Sequence, residues 1–469
     1  MHSPKRRSYK LWGKGILDMK KILFTLFSII LFAQGANAMD SAIFNKAIHN
    51  SGIHKGAVSV SVKDLSTGKT VAELNSEIPT SPASTQKLLT YLPALTVLGE
   101  NYNFSTSIYK TKTGDYYLVL GADPYLTTAD LYKLISQLKL PQKSEVKNLY
   151  IDDTVLDNQN WGEGWQWDDD LNILMPKFGS YNLDKNLYTI VVSPTKVGSP
   201  ADIFANVFYP TTFINQTKTT LNLTKVDFSR ENYISPDSLT VSGPVAKTVK
   251  VQIPVNYLRR YFLLRMDDSF AKAKLSYYGK YQRAKLPKGA VKVAEIKHPI
   301  SKATIDVLKN SDNLVAETVF KLAGGKHVNG TGSTPSAIAM FNTYCSINKL
   351  DCSKIRLTDG SGVSKNNLVT ADFMSDYIVK TTKIFGQEKL EAMLTQPKEG
   401  TLTNRFFNMQ GKLWAKTGTL SNISGITGLM IAKSGKTYAF SIYINDGKSS
   451  ESNKKMLEEF IVKAVYDKF

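Results

Sequence analysis

Pro82-Ala83-Ser84-Thr85-Gln86-Lys87-Leu88-Leu89-Thr90-Tyr91-Leu92 is the stretch that decides how this chain is read. Its apolar spacing and lack of breakers predict a buried helix. At its start, Ser84 and Lys87 lie one turn apart on one face, so the amine can take the hydroxyl's proton. Pro79 and Pro82 before it, and Leu88, Leu89 and Leu92 after it, bury Lys87 beside a helix N-terminus. Burial and positive surroundings both lower a lysine's pKa, which a general base needs. Spacing alone selects nothing, because Ser-x-x-Lys also occurs at Ser66, Ser107, Ser136, Ser144, Ser193 and Ser452. The setting singles out Ser84.

Upstream, residues 57 to 73 read as two alternating strands around the turn Ser66-Thr67-Gly68-Lys69, giving the order strand, turn, helix. From 104 to about 293 the texture changes to short aromatic-rich strands (Phe104 to Lys110, Tyr116 to Leu120, Thr189 to Val192, Val249 to Ile253) with Gly, Pro and Asp turns. This stretch reads as a β-rich insertion made of 104–194 and 244–293, with 195–243, rich in Thr, Asn and Ser, as a further small module. Helical patterns return at Ala303 to Lys309, Leu314 to Leu322 and Pro335 to Ile347. Strands follow at Gly425 to Ala432 and Thr437 to Ile444. The last pattern, Lys455 to Tyr466, puts Met456, Leu457, Phe460, Ile461, Ala464 and Val465 on one side and reads as a helix packed on a sheet rather than a membrane anchor.

Two further motifs carry chemistry. Lys416-Thr417-Gly418-Thr419 precedes a strand; its amine and hydroxyls suit a substrate carboxylate, and Gly418 would let an extended peptide approach the backbone. A second copy, Lys112-Thr113-Gly114, reads as a plain hairpin turn. Ser311-Asp312-Asn313 opens a helix and, taken alone, reads as an N-terminal cap. Ser180-x-Asn182, Ser346-x-Asn348 and Ser364-x-Asn366 share its spacing. Only company chooses among them.

Length and composition bound the class. The chain's 469 residues, 42% hydrophobic and 21% charged, describe a folded protein of two to four domains. The net charge of +19 is dispersed: residues 1–38 hold seven bases and one acid, leaving 52 basic and 39 acidic residues along the rest. That spread suits an anionic polymer or envelope better than a duplex reader, so no nucleic-acid partner is expected. Met19, Lys20, Lys21, the apolar run Ile22 to Phe32, and Ala33-Gln34-Gly35-Ala36-Asn37-Ala38 read as an export signal, with 1–18 as an upstream extension. No membrane span is expected after its removal. Cys345 and Cys352, seven apart, suit a short disulfide in an exported chain, with two free thiols as the other reading. The five His (His2, His49, His54, His298, His327) show no paired metal spacing, so neither metal nor cofactor is expected.

Ser84-x-x-Lys87, Ser311-Asp312-Asn313 and Lys416-Thr417-Gly418, in that order, resemble the three-motif active site of penicillin-recognising serine enzymes. The 227 residues from Ser84 to Ser311 look like the long insertion of the class C low-molecular-mass penicillin-binding proteins, the D-alanyl-D-alanine carboxypeptidase/endopeptidase family. Gly121-Ala122-Asp123-Pro124, Trp165-Gln166-Trp167-Asp168-Asp169 and Asp359-Gly360-Ser361-Gly362-Val363-Ser364 look similar to that family as well. The resemblance implies an α/β sandwich, 39–103 joined with 294–469, interrupted by the insertion. It implies a periplasmic enzyme that cleaves peptidoglycan stem peptides at D-Ala-D-Ala, and D-Ala-to-diamino-acid cross-links, and that binds β-lactam antibiotics.

Carried over, the resemblance makes Ser84 the nucleophile and Lys87 its base, with Ser311 and Asn313 on the opposite wall. Lys416, Thr417, Gly418 and Thr419 would bind the terminal carboxylate, and the backbone N–H groups of Ser84 and Thr419 would form the oxyanion hole. Ser361 and Lys365 would line the side-chain pocket, with Lys365 where Arg is often found. Asp169 would face the substrate's diamino acid, while Leu174 replaces an aromatic residue usual in the family. A serine β-lactamase and a non-catalytic cell-wall binding protein are the rival readings.

Overall fold

A computed structural model describes residues 41–230, 237–277, 279 and 281–469, so the export-signal segment lies outside the described residues. Five antiparallel strands form the central sheet: β1 (Val58–Asp64), β2 (Thr70–Leu74), β3 (Leu413–Leu420), β4 (Ile423–Ile431) and β5 (Thr437–Asn445), in the order β3-β4-β5-β1-β2. Both sheet faces are covered. In β5 the two-residue alternation sends Tyr438, Phe440, Ile442 and Ile444 to one face and Ala439 and Tyr443 to the other.

The first face is covered by α1 (Ala42–Ser51) and α6 (Glu451–Lys468) through Phe44, Ile48, Leu457, Ile461 and Val465. Each such side chain taken fully from water is worth about 1.5–3 kcal/mol. The second face carries α2 (Lys87–Leu98), α3 (Asn313–His327), α4 (Thr334–Ile347) and α5 (Ala371–Phe385), around a core that includes Leu88, Leu92, Phe320, Phe341 and Tyr377. The chain is thus an α/β sandwich, with its middle segment set apart. A disulfide joins Cys345 in α4 to Cys352 in the turn that follows.

One expectation is corrected, and a helix is added to the β-rich stretch. In α6, Met456 and Phe460 are about two-fifths exposed, and the buried stripe is Lys454, Leu457, Glu458, Ile461, Val462 and Val465. The reason is polar: Glu458 accepts from Ser424 Oγ (2.6 Å) and Arg405 Nη2 (2.9 Å), and Lys454 donates to the Ser421, Asp446 and Ser449 carbonyls. Satisfying those groups turns the helix by about one residue's angle. In the middle segment, Leu258–Lys272 is a helix whose inward stripe carries Arg265 and Ser269, polar residues that interrupt the apolar pattern.

The chain leaves the sandwich along Asn103–Lys110 and returns along Val291–Pro299, the two strands pairing antiparallel. They belong to a second five-stranded sheet, and two three-stranded sheets follow in the same segment, in Leu187–Ser193, Asp202–Ala205 and Val249–Pro254, and in Thr212–Thr219, Asp227–Ser229 and Ser238–Val245. A separate core, including Ile108, Leu118, Ile151, Ile190 and Phe262, fills this part. Lys112-Thr113-Gly114 is indeed a hairpin turn, with Gly114 at φ +93°.

Candidate active site

Ser84 sits on a 3₁₀ turn, Ala83–Gln86, that runs directly into α2 at Lys87. The turn is pinned from two sides. Thr85 Oγ1 donates to the Pro82 carbonyl (2.7 Å) and meets Tyr443 Oη of β5 (2.9 Å), while Gln86 Nε2 donates to the Asp359 carbonyl (2.6 Å). Ala83 holds φ +47°, a left-handed conformation uncommon for a residue with a Cβ.

Lys87 is fully buried, and its Nζ reaches three oxygens: Ser84 Oγ at 2.9 Å, Asn313 Oδ1 at 2.6 Å and the Ser361 carbonyl at 2.7 Å. An ammonium's three protons are therefore all placed. Burial pulls Lys87 down to about 8, against the raising charges of Asp359, Glu317 and Asp312. Once neutral, the amine has a lone pair, and of its three neighbours only the Ser84 hydroxyl has a proton to give. The geometry thus aims the neutral amine's lone pair at the Ser84 hydroxyl.

The Ser311-Asp312-Asn313 triplet divides its labour. Asp312 alone caps α3, accepting from Val315 N at 3.0 Å, and it pairs with Lys185 Nζ at 3.0 Å. Asn313 spends its other amide end on the Leu174 carbonyl, its Nδ2 donating at 2.8 Å, so Oδ1 is fixed toward Lys87. Ser311 is held at φ +63°, with its Oγ accepting from Lys416 Nζ at 2.9 Å. The cap is Asp312, while Ser311 and Asn313 turn toward Lys416 and Lys87.

Lys416 lies in β3, fully buried, and among the described residues no carboxylate pairs with it. Its Nζ also donates to the Thr417 carbonyl (2.9 Å). Burial, and then the Lys87 charge, hold it well below the usual lysine range. A carboxylate arriving beside it would relieve both costs. The Thr417 hydroxyl donates to Thr401 Oγ1 at 2.7 Å, a partner the motif does not reveal.

Gly418 has a packing task that the motif does not reveal. A Cβ there would lie 2.7 Å from Ser84 N, 2.8 Å from the Pro82 carbonyl oxygen and 2.9 Å from Thr85 N. The missing side chain lets β3 press against the serine's own turn.

These elements border a cleft of about 600 Å³ whose walls include Ser84, Ser311, Asn313, Thr417 and Thr419, with Ile173, Leu174 and Lys185 contributed by the middle segment. Lys185 belongs to a run, Asp184 to Asn186, in which three residues all have positive φ. The strain is held by Asp184, which accepts from Thr128 N and Oγ1 and from Tyr261 Oη. Ser361 is buried behind Lys87 and reaches it through its carbonyl. Lys365 and Asp169 stand near one another outside the cleft's lining, Lys365 exposed and Asp169 partly so. Burial and Asp168 push the Asp169 carboxyl up, against the pull of Lys365.

The model of the D-Ala-D-Ala carboxypeptidase 3 (S13) family matches residues 41–464. The chain is 26% identical over 432 residues to the D-alanyl-D-alanine carboxypeptidase of Actinomadura sp., a match covering 84% of this chain and 79% of that one. It is 23% identical over 422 residues to D-alanyl-D-alanine carboxypeptidase DacB of Haemophilus influenzae, covering 84% and 86%. The crystal structure of penicillin binding protein 4 (dacB) from Haemophilus influenzae superposes with a TM-score of 0.78 at 21% identity, covering 87% of this chain and 96% of that one.

Proposed function

The chain belongs to the D-Ala-D-Ala carboxypeptidase 3 (S13) family, serine-type carboxypeptidases, and from that premise we propose how its residues act and how far its activity extends. The single observation that carries the reading is the position of Lys87 Nζ, 2.9 Å from Ser84 Oγ and 2.6 Å from Asn313 Oδ1. Neutral Lys87 takes the Ser84 proton as Oγ attacks the carbonyl of the penultimate D-Ala. The backbone N–H groups of Ser84 and Thr419 receive the oxyanion. The C–N bond breaks, the leaving amine takes a proton relayed through Ser311 or Lys87, and an acyl-enzyme on Ser84 remains. Water then hydrolyses that ester. Lys416, with Thr417 and Thr419, holds the carboxylate of the leaving residue.

The same recognition extends to cross-links. Where the diamino acid carries a carboxylate beside its second amine, as diaminopimelate does, the group that Lys416 would bind is present in both substrates. A penicillin presents a strained amide and a carboxylate at a similar spacing. We therefore assign endopeptidase activity and penicillin acylation to the same site, in the periplasm, to which the segment after Met19 would direct the chain.

The test is to incubate the purified protein with a stem pentapeptide and with a cross-linked stem-peptide dimer, and to resolve products by chromatography and mass spectrometry. Release of D-Ala and splitting of the dimer, both lost in Ser84→Ala, are expected. No release from either substrate would refute the reading, and an uncut dimer would refute the endopeptidase part. Cell fractionation tests the location: recovery with cytoplasmic markers would overturn it.

A further inference from the structure

Glu317 lies four residues after Asn313 on α3, so one helix face delivers both the Asn313 amide and the Glu317 carboxylate toward Lys87. It is buried (1% exposed) and touches neither the cleft nor the Ser84 hydroxyl. Its oxygens are spent on a loop: Oε1 accepts from Gly360 N (3.0 Å) and Ser361 N (2.8 Å), and Oε2 accepts from Gly360 N (2.9 Å). Both oxygens act as acceptors, which suits the carboxylate; a protonated acid would aim an O–H at an N–H. The loop is pressed onto the helix, since a Cβ on Gly360 would fall 2.9 Å from Phe320 Cβ and 3.1 Å from the Ala316 carbonyl oxygen. The next carbonyl, that of Ser361, takes a Lys87 N–H at 2.7 Å.

We propose that Glu317 is a positioning residue for Lys87: it clamps the Gly360–Ser361 backbone so that the Ser361 carbonyl faces the amine, and it sets a negative charge beside that amine. The inference rests on Lys87 being the base for Ser84. A buried carboxylate is costly, so its retention in this interior asks for a charge-dependent role rather than a packing one.

The charged groups around it are few. Lys87 faces it from α2, with Lys416 of β3 beyond; Asp359 faces it from the loop; Asp312 and Lys321 lie on its own helix, Lys321 being paired with Asp157 at 2.8 Å. Burial and then Asp359 push the Glu317 carboxyl up, against the pull of the Ser361 and Gly360 N–H groups and of Lys321. Its negative charge in turn favours the Lys87 ammonium.

In Glu317→Gln the ammonium loses a stabilising neighbour, so Lys87 becomes neutral at lower pH. The acid limb of the acylation profile should move down by about one pH unit. The maximum should fall as well, because the amide NH₂ now opposes the loop's N–H groups. Glu317→Asp keeps the charge but shortens the reach, so its limb should stay in place while its maximum falls. The measurement is the second-order rate of acylation by a fluorescent penicillin from pH 5.5 to 9.5, with thermal melts to check folding. A lowered maximum with an unmoved limb in Glu317→Gln would reduce Glu317 to a structural role and overturn the inference. If that variant does not fold, Glu317→Asp decides: a shifted limb there contradicts the charge argument. Wild-type protein that takes no label would overturn the serine–lysine reading itself, a result distinct from either.

Discussion

Adding one methyl group at Gly418 tests how closely the third motif must approach the nucleophile. In Gly418→Ala the new Cβ would sit 2.7 Å from Ser84 N, 2.8 Å from the Pro82 carbonyl oxygen and 2.9 Å from Thr85 N. All three are backbone atoms, so no side chain can swing away. Restoring an ordinary contact of 3.4 Å means parting β3 from the Ser84 turn by about 0.7 Å. Overpacking of this kind costs typically about 1–3 kcal/mol of stability. The cost to function should be larger, because the two N–H groups assigned to the oxyanion hole belong to Ser84 and Thr419, one on each side of the widened gap. A misplacement approaching 1 Å costs about 10²-fold in rate. The expected result is a fall in penicillin acylation of about 10²-fold, read by stopped-flow or gel labelling, with a cooperative melt retained. Acylation within about threefold of wild type would show that β3 and the serine turn need not be so close.

Because burial brings Lys87 down to about 8 and only its neutral form accepts the Ser84 proton, acylation should climb about tenfold per pH unit below about 8 and level off above it. A flat profile from pH 6 to 9 would remove Lys87 from that role. Thiol titration of denatured, non-reduced protein should find no free thiol, since Cys345 and Cys352 are bonded, and reduction should leave acylation intact because neither sulfur lies in the three motifs. Asp169 lies outside the cleft's lining, so it meets the diamino-acid amine only where the stem peptide extends beyond that lining; on such peptides Asp169→Asn should lower kcat/KM by about tenfold or more, the worth of a charge-assisted contact of ~1.5–3 kcal/mol, while penicillin acylation stays within about twofold. Equal losses on both would assign Asp169 to the fold, and no loss would leave it a solvated acid.

The letters of the sequence speak where chemistry resides in side chains at short spacing. Ser84 and Lys87, three residues apart on one turn, are legible because the turn itself brings them together. The flanking strands, the hairpin at Lys112 and the Cys345–Cys352 pair are legible for the same reason. What holds Lys87 from its other sides is not. The carbonyls of Ser361 and Leu174 are backbone groups that any residue supplies, and they arrive from 274 and 139 positions away from the atoms they bind. Glu317 and Asp359 read as ordinary acids until folding closes water out around them. Gly418 was visible as a glycine, but the reason for it lies in the neighbouring segment, Pro82 to Thr85, which only the fold brings within reach. The α6 stripe lies one residue from where its apolar pattern puts it because Lys454 and Glu458, polar residues that hydrophobicity does not count, find buried partners.

The central claim, that Ser84 is the nucleophile served by Lys87, is tested most directly by intact-protein and peptide mass spectrometry after exposure to a penicillin. One stable adduct is expected on the peptide containing Ser84, and none in a Ser84→Ala protein whose melting temperature is nearly unchanged, since that hydroxyl faces the cleft and its loss removes no core volume. An adduct that persists in Ser84→Ala, or wild-type protein that never takes one, would contradict it.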